Sequence, residues 1–234
     1  MVISFALFLL AACSSTTLPG TLGSERKQFM IMSGSQMNQQ ASLDYSMLIG
    51  DVKAKGKLKT DPQVTRVVQR LIDQTISYRK DVISWQWRAN VIQNDSVNAF
   101  AMPGGKIAVY TGLLKTIKPT DDELAAVIGH EIAHTLREHS REKASKAAAG
   151  KLTTHLITTY AGLGEYGNIA VQLAERYAWN LPNSRSAETE ADLIGLELMA
   201  RAGYNPNPAI KKKKKMAKAN KSSNPVFLST HPSS

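Results

Sequence analysis

Thr120-Asp121-Asp122-Glu123-Leu124-Ala125-Ala126-Val127-Ile128-Gly129-His130-Glu131-Ile132-Ala133-His134-Thr135-Leu136-Arg137-Glu138-His139 is the stretch that decides the fold. It contains His130-Glu131-Ile132-Ala133-His134, the HExxH pattern. Residues four apart share one helix face, so both imidazoles can address one metal ion, with Glu131 beside them to act on an activated water. The flanks support a helix. Thr120 followed by Glu123 makes a capping box, with Pro119 just ahead of it. Leu124, Val127, Ile128 and Ile132 form an apolar stripe that packs the helix down while the histidines face a cleft.

A chain of 234 residues with 43% hydrophobic content can bury one sizeable core. The net charge is +10, but five of those charges lie in the run Lys211–Lys215, and the excess without it is +5. Such a residue is a solvated basic surface, and no interleaved aromatics or recognition fold point to nucleic acid. One cysteine, Cys13, leaves no intrachain disulfide. Residues 1–12 form an apolar run too short to span a bilayer as a helix, and Leu10-Ala11-Ala12-Cys13 resembles the bacterial lipobox. The expectation is a lipoprotein signal peptide at 1–12, a lipidated Cys13, a Ser/Thr/Gly-rich tether at 13–24 and a single catalytic domain at 25–234, with its core at about 60–204.

Along that domain, residues 25–59 read as a pair of short helices, and Asp61-Pro62 starts an amphipathic helix with Val64, Val67, Val68 and Leu71 on one face. Residues 83–93, 98–102 and 106–111 read as strands, the last two joined at Gly104-Gly105. The fold class is therefore α+β and mostly helical, with a small antiparallel sheet beside the HExxH helix. An edge of that sheet, at Asn98, Ala99 and Phe100, is suited to pairing with an extended substrate. Residues 140–179 read as a helical hairpin broken by glycines at 162–167.

A catalytic zinc needs a third protein ligand. A completion of the form HExxHxxGxxH fails, because 137 and 140 hold arginine and serine. His139, five residues after His134, turns away from the ligand face of a straight helix. Ser184-Arg185-Ser186-Ala187-Glu188-Thr189-Glu190-Ala191-Asp192 offers a later helix on which Glu188 and Asp192 share a face while Glu190 points elsewhere. One of those two carboxylates can bind metal, and the other can accept the second N–H of a ligand histidine.

HExxH followed by this ExxxD segment resembles the zinc metallopeptidase family of HtpX and the CAAX prenyl proteases, of gluzincin type. Asn98-Ala99-Phe100-Ala101, Pro103-Gly104-Gly105, Val109-Tyr110-Thr111-Gly112-Leu113 and Ser229-Thr230-His231-Pro232 extend the likeness over about residues 60–232. The resemblance implies a zincin-like domain holding one Zn2+ per chain through His130, His134 and Glu188. It implies Glu131 as general base, Asp192 as hydrogen-bond partner of a ligand histidine, and His231 as a donor to the developing oxyanion. The implied activity is endoproteolysis of unfolded or misassembled cell-envelope proteins by a lipid-anchored protein on the periplasmic side of a bacterial outer membrane. The alternative is a metal-bound chaperone with little proteolysis, against which the intact Glu131 argues.

Overall fold

The computed structural model describes residues 13–161, apart from 20 and 24, and residues 181–207; the signal-peptide reading, the glycine break at 162–167, the lysine run and His231 lie outside them. At the N-terminus, β1 (Cys13–Ser14) pairs antiparallel with β2 (Gln28–Phe29). The stretch 13–24, expected as a tether, is fastened to the body. Leu18 N–H donates to Tyr78 O at 2.7 Å, and Thr17 and Thr21 are buried.

Residues 34–54 form one helix, α1 (Gly34–Ala54), rather than the expected pair, with Ser33 capping it through Gln36 N–H. Tyr45 seats α1 on the sheet: its hydroxyl donates to Ile107 O and accepts from Asn90 Nδ2 at 2.9 Å. With Val52, Ile92 and Ala108 it makes a second, smaller core on that face.

The sheet comprises β3 (Leu58–Lys59), β4 (Arg88–Ile92), β5 (Ala99–Met102) and β6 (Lys106–Tyr110), in the order β3-β4-β6-β5. It is mixed where an antiparallel sheet was expected, because the chain passes from β4 to the far edge before returning through a hairpin. β6 therefore runs antiparallel to β5 but parallel to β4. The hairpin turns at Gly104 and Gly105, with φ of 73° and 80°, values that favour glycine. Part of the stretch expected as the first strand is instead a 3-10 turn, Lys80–Ser84.

The main core lies on the other sheet face. Asp61 caps α2 (Pro62–Ile72), its carboxylate accepting from Val64 N–H at 3.0 Å, and Val64, Val67, Val68 and Leu71 are buried. A short helix, α3 (Thr111–Ile117), leads to α4 (Asp121–Leu136), the HExxH helix. Its capping box is formed: Glu123 N–H donates to Thr120 Oγ1 at 3.2 Å and Thr120 N–H to Glu123 Oε2 at 3.0 Å, an arrangement of about 1 kcal/mol. Leu124, Ile128, Ile132 and Leu136 are fully buried. α5 (His139–Ala161) follows, and α6 (Leu181–Arg201) returns across α4, burying Ala191, Ile194, Leu198 and Met199.

The α4–α6 crossing is backbone against backbone. A Cβ on Gly195 would lie 2.9 Å from His130 N, and one on Gly129 would lie 3.1 Å from Gly195 O. Glycine inside a helix costs up to about 1 kcal/mol, and here it admits a close approach that no side chain permits. Gly195→Ala is expected to force the helices apart, lowering stability by roughly 1–3 kcal/mol and weakening metal binding. Urea denaturation of the metal-free protein measures the first effect and zinc titration the second.

Candidate metal centre

Three side chains from two helices meet beside that crossing. α4 presents His130 and His134 from successive turns, and α6 presents Glu188 two turns before Gly195. His130 Nε2 and His134 Nε2 are 3.1 Å apart, and Glu188 places Oε2 at 3.3 Å from the first and Oε1 at 3.4 Å from the second. A tetrahedral zinc with bonds of about 2.0–2.1 Å needs ligand atoms separated by roughly 3.3 Å. The contacts lie close to that spacing, each histidine meeting a different oxygen of the Glu188 carboxylate. His130, His134 and Glu188 are the one group of three possible ligands that converges among the described residues, with one ligand atom from each within 4.8 Å of the others. Two imidazoles and one carboxylate are a donor set for zinc.

The surroundings favour a cation. Burial disfavours a charge on His130, but its hydrogen bonds with Asp192 and Glu188 and the nearby charge of Glu131 outweigh that, raising its pKa to about 9 in the absence of metal. The same carboxylates attract a divalent ion, which must displace that proton to bind. Burial dominates at His134 and lowers its pKa to about 3, so its imidazole is neutral. Asp192, one helical turn beyond Glu188, sits 3.0 Å from His130 Nδ1 and accepts its N–H, which turns Nε2 towards the ligand cluster. Glu131 is buried on α4 between the two histidines in sequence.

His139 is not among the converging ligand atoms, yet it does not turn away. α4 ends at Leu136, Glu138 adopts a left-handed φ of 50°, and the chain restarts as α5. Arg79 and Arg141 both donate to the Glu138 carboxylate and hold this break. It brings His139 Nδ1 to 2.8 Å from His134 Nδ1, and the other ring nitrogen to 3.0 Å from Glu190 Oε2. Glu190, which points away from the ligand face, enters a buried ionic cluster beneath it. Arg137, fully buried, donates to Glu190 from Nε at 3.0 Å, to Arg26 O at 2.8 Å, and to the hydroxyls of Ser15 and Thr17. Arg26 bridges Glu190 and Glu142, which also receives Lys146 and Gln28. Burial pushes both carboxyls up, but these partners outweigh it and hold Glu142 and Glu190 at about 2.

Asn98 and Ala99 are buried, and Phe100 stacks edge-on against Tyr110. These three side chains therefore face the protein's own packing, and only the main chain of β5, at the sheet edge, is left to meet another strand. Sequence reasoning set His139 and Glu190 aside as ligands without finding their contacts behind His134, and it missed the arginines. Gly129 and Gly195, glycines inside helices, were the available signal of a close crossing.

A match to the family described as Peptidase family M48 spans residues 58–234. The chain is 36% identical over 201 residues to the mitochondrial metalloendopeptidase OMA1 of Schizosaccharomyces pombe, covering 85% of this chain and 57% of that protein. It is 38% identical over 157 residues to the OMA1 protein of Saccharomyces cerevisiae, covering 64% and 44%. The Beta-barrel assembly-enhancing protease of Escherichia coli is 25% identical over 213 residues, covering 85% and 43%. The chain thus spans about half the length of these relatives. The mitochondrial relatives overturn the expectation of a lipid-anchored protein at a bacterial outer membrane. A short apolar run ending in Ala-Ala-Cys is a compositional pattern, and it carries less information than identity across the body of the chain.

Asp192→Ala is expected to weaken zinc binding by about 10–100-fold, and Glu188→Ala, which removes a ligand, by more; competition with a chromogenic chelator reads both. The ionic cluster sets an acid limit. Its two carboxyls lie below their unfolded values, so their contribution is complete above about pH 4.5 and is lost as pH falls towards about 2. Arg26→Ala should move the acid-unfolding midpoint to higher pH, as followed by circular dichroism.

Proposed function

The chain belongs to peptidase family M48, and from that premise we propose that it is a zinc-dependent endopeptidase acting on unfolded or misassembled polypeptides. One observation carries the proposal: His130, His134 and Glu188 converge close to the spacing of a zinc tetrahedron, on the same helix turn as a buried Glu131. Three protein ligands leave a fourth position for water or substrate, the arrangement of catalytic rather than structural zinc.

When bound, zinc polarises a peptide carbonyl and lowers the pKa of a water towards ~7. The chain's own groups supply the rest. Glu131 takes the proton of the attacking water and delivers it to the departing amine nitrogen, so one carboxylate serves as base and then as acid. Asp192, bonded to His130 Nδ1, holds that imidazole in orientation, which spares the site reorganisation during the reaction. On β5 the main-chain groups of Asn98 and Phe100 face β6, Tyr110 N–H donating to Asn98 O at 3.0 Å. Of the expected Asn98, Ala99 and Phe100, only Ala99, joined by Ala101, therefore offers main-chain groups on the outer edge to an extended polypeptide. Main-chain pairing gives affinity with little dependence on sequence, which suits unfolded substrates. The name of the E. coli relative, a protease that enhances barrel assembly, accords with a substrate of misassembled protein. Among the described residues no helix is long and apolar enough to cross a membrane.

Glu131→Gln should bind zinc like the wild type while losing about 10²–10⁴-fold in turnover. Hydrolysis of casein, with zinc or with a chelator, checks this in the two proteins side by side. Equal cleavage by both would overturn the role of Glu131. Stoichiometric zinc with no cleavage in either would favour a client-holding protein.

A further inference from the structure

We propose that His139 is a positioning residue for the metal ligand His134, and that Glu190 sets the tautomer through which it acts. The inference rests on the metal-site reading of His130, His134 and Glu188 and goes beyond it, since a residue outside the HExxH and ExxxD patterns becomes part of the support.

Hydrogen-bond bookkeeping leads there. Glu190 receives Arg137 and Arg26 on its two oxygens, so it is a carboxylate and can only accept. His139 Nε2, 3.0 Å from Glu190 Oε2, must therefore carry a hydrogen and donate it. The other nitrogen of His139 faces His134 Nδ1 at 2.8 Å, a separation at which one of the two must donate and the other accept. A histidine that binds metal through Nε2 is neutral and keeps its hydrogen on Nδ1. His134 is then the donor and His139 Nδ1 the acceptor. The chain of bonds reads Glu190, accepting from His139 Nε2–H; His139 Nδ1, accepting from His134 Nδ1–H; and His134 Nε2, presented to the metal.

The arrangement parallels the one on the other ligand. His130 Nδ1–H donates directly to Asp192, 3.0 Å away. His134 reaches its carboxylate, Glu190, through an intervening imidazole. The two supports come from one helix, Glu190 and Asp192 of α6, although they leave it in different directions. Position 139 is buried and its neighbours fix it: Glu138 makes the left-handed turn, and Arg26 and Arg137 hold Glu190 from the other side. Arg26 lies before residue 58, where the family match begins, so a segment outside the matched stretch braces the ligand sphere.

The test compares zinc affinity, by chelator competition, in wild type, His139→Leu and His139→Gln. Leucine fills the space without an acceptor, whereas the glutamine carbonyl can accept from His134 Nδ1–H. His139→Leu is expected to weaken zinc binding about 10–100-fold, with His139→Gln recovering most of the loss. The nitrogen-15 spectrum of the imidazoles in zinc-loaded wild type gives a reading that needs no variant: His134 protonated at Nδ1 and His139 at Nε2. A hydrogen on His139 Nδ1, or wild-type zinc affinity in His139→Leu, overturns the proposal. Wild type that binds no zinc at all would sink the metal reading and this inference together, and the two failures are thereby told apart.

Discussion

The contact on which the site depends is the crossing of α4 and α6 at Gly129 and Gly195. Two helices dressed with ordinary side chains keep their axes about 8–10 Å apart. Here the absent Cβ atoms let Gly195 press against the backbone of His130, with no room for even a methyl group. The consequence is chemical. Glutamate and aspartate are short compared with the gap between normally packed helices, so Glu188 and Asp192 reach His130 and His134 only because the backbones meet just beyond them. The apolar residues around the crossing, Ile128, Ile132, Ile194 and Leu198, supply the burial that holds the helices at this distance.

Beneath the ligands the protein buries charge, which is costly unless every group is paired. Arg137 has no exposed surface and satisfies its donors with Glu190, a backbone carbonyl and two hydroxyls. Those partners come from the N-terminal segment as well as from α6. The cluster therefore ties residues 15–28 to the helices of the metal centre, and it places the fastened N-terminus in the support of the site. Through His139 it meets the ligand cluster above it, where Glu131, Glu188 and Asp192 leave a negative environment for a cation.

Much was legible in the chain. The HExxH helix and its capping box, the Asp61 cap, and the pairing of Glu188 with Asp192 on one face are all local statements: they follow from a 3.6-residue repeat and from side chains bonding to backbone within three residues. The same logic misplaced His139, because it assumed a helix continuing straight past Arg137. The left-handed turn at Glu138 is stabilised by Arg79 and Arg141, and one of those lies far off in sequence. The sheet followed the same division. Its strands were legible from alternation, but the parallel pairing of β4 with β6 depends on which neighbour each strand finds, and periodicity does not encode that.

The sequence by itself determined which residue types could hold a metal and which helices would carry them, since i,i+4 spacing and capping chemistry act over a single turn. The tertiary structure alone decided that those helices touch at two glycines, that Glu190 and His139 stand behind His134, and that Arg26 reaches them from the N-terminus. These are contacts between residues far apart in the chain, and their geometry exists only once the backbone has closed around a common core.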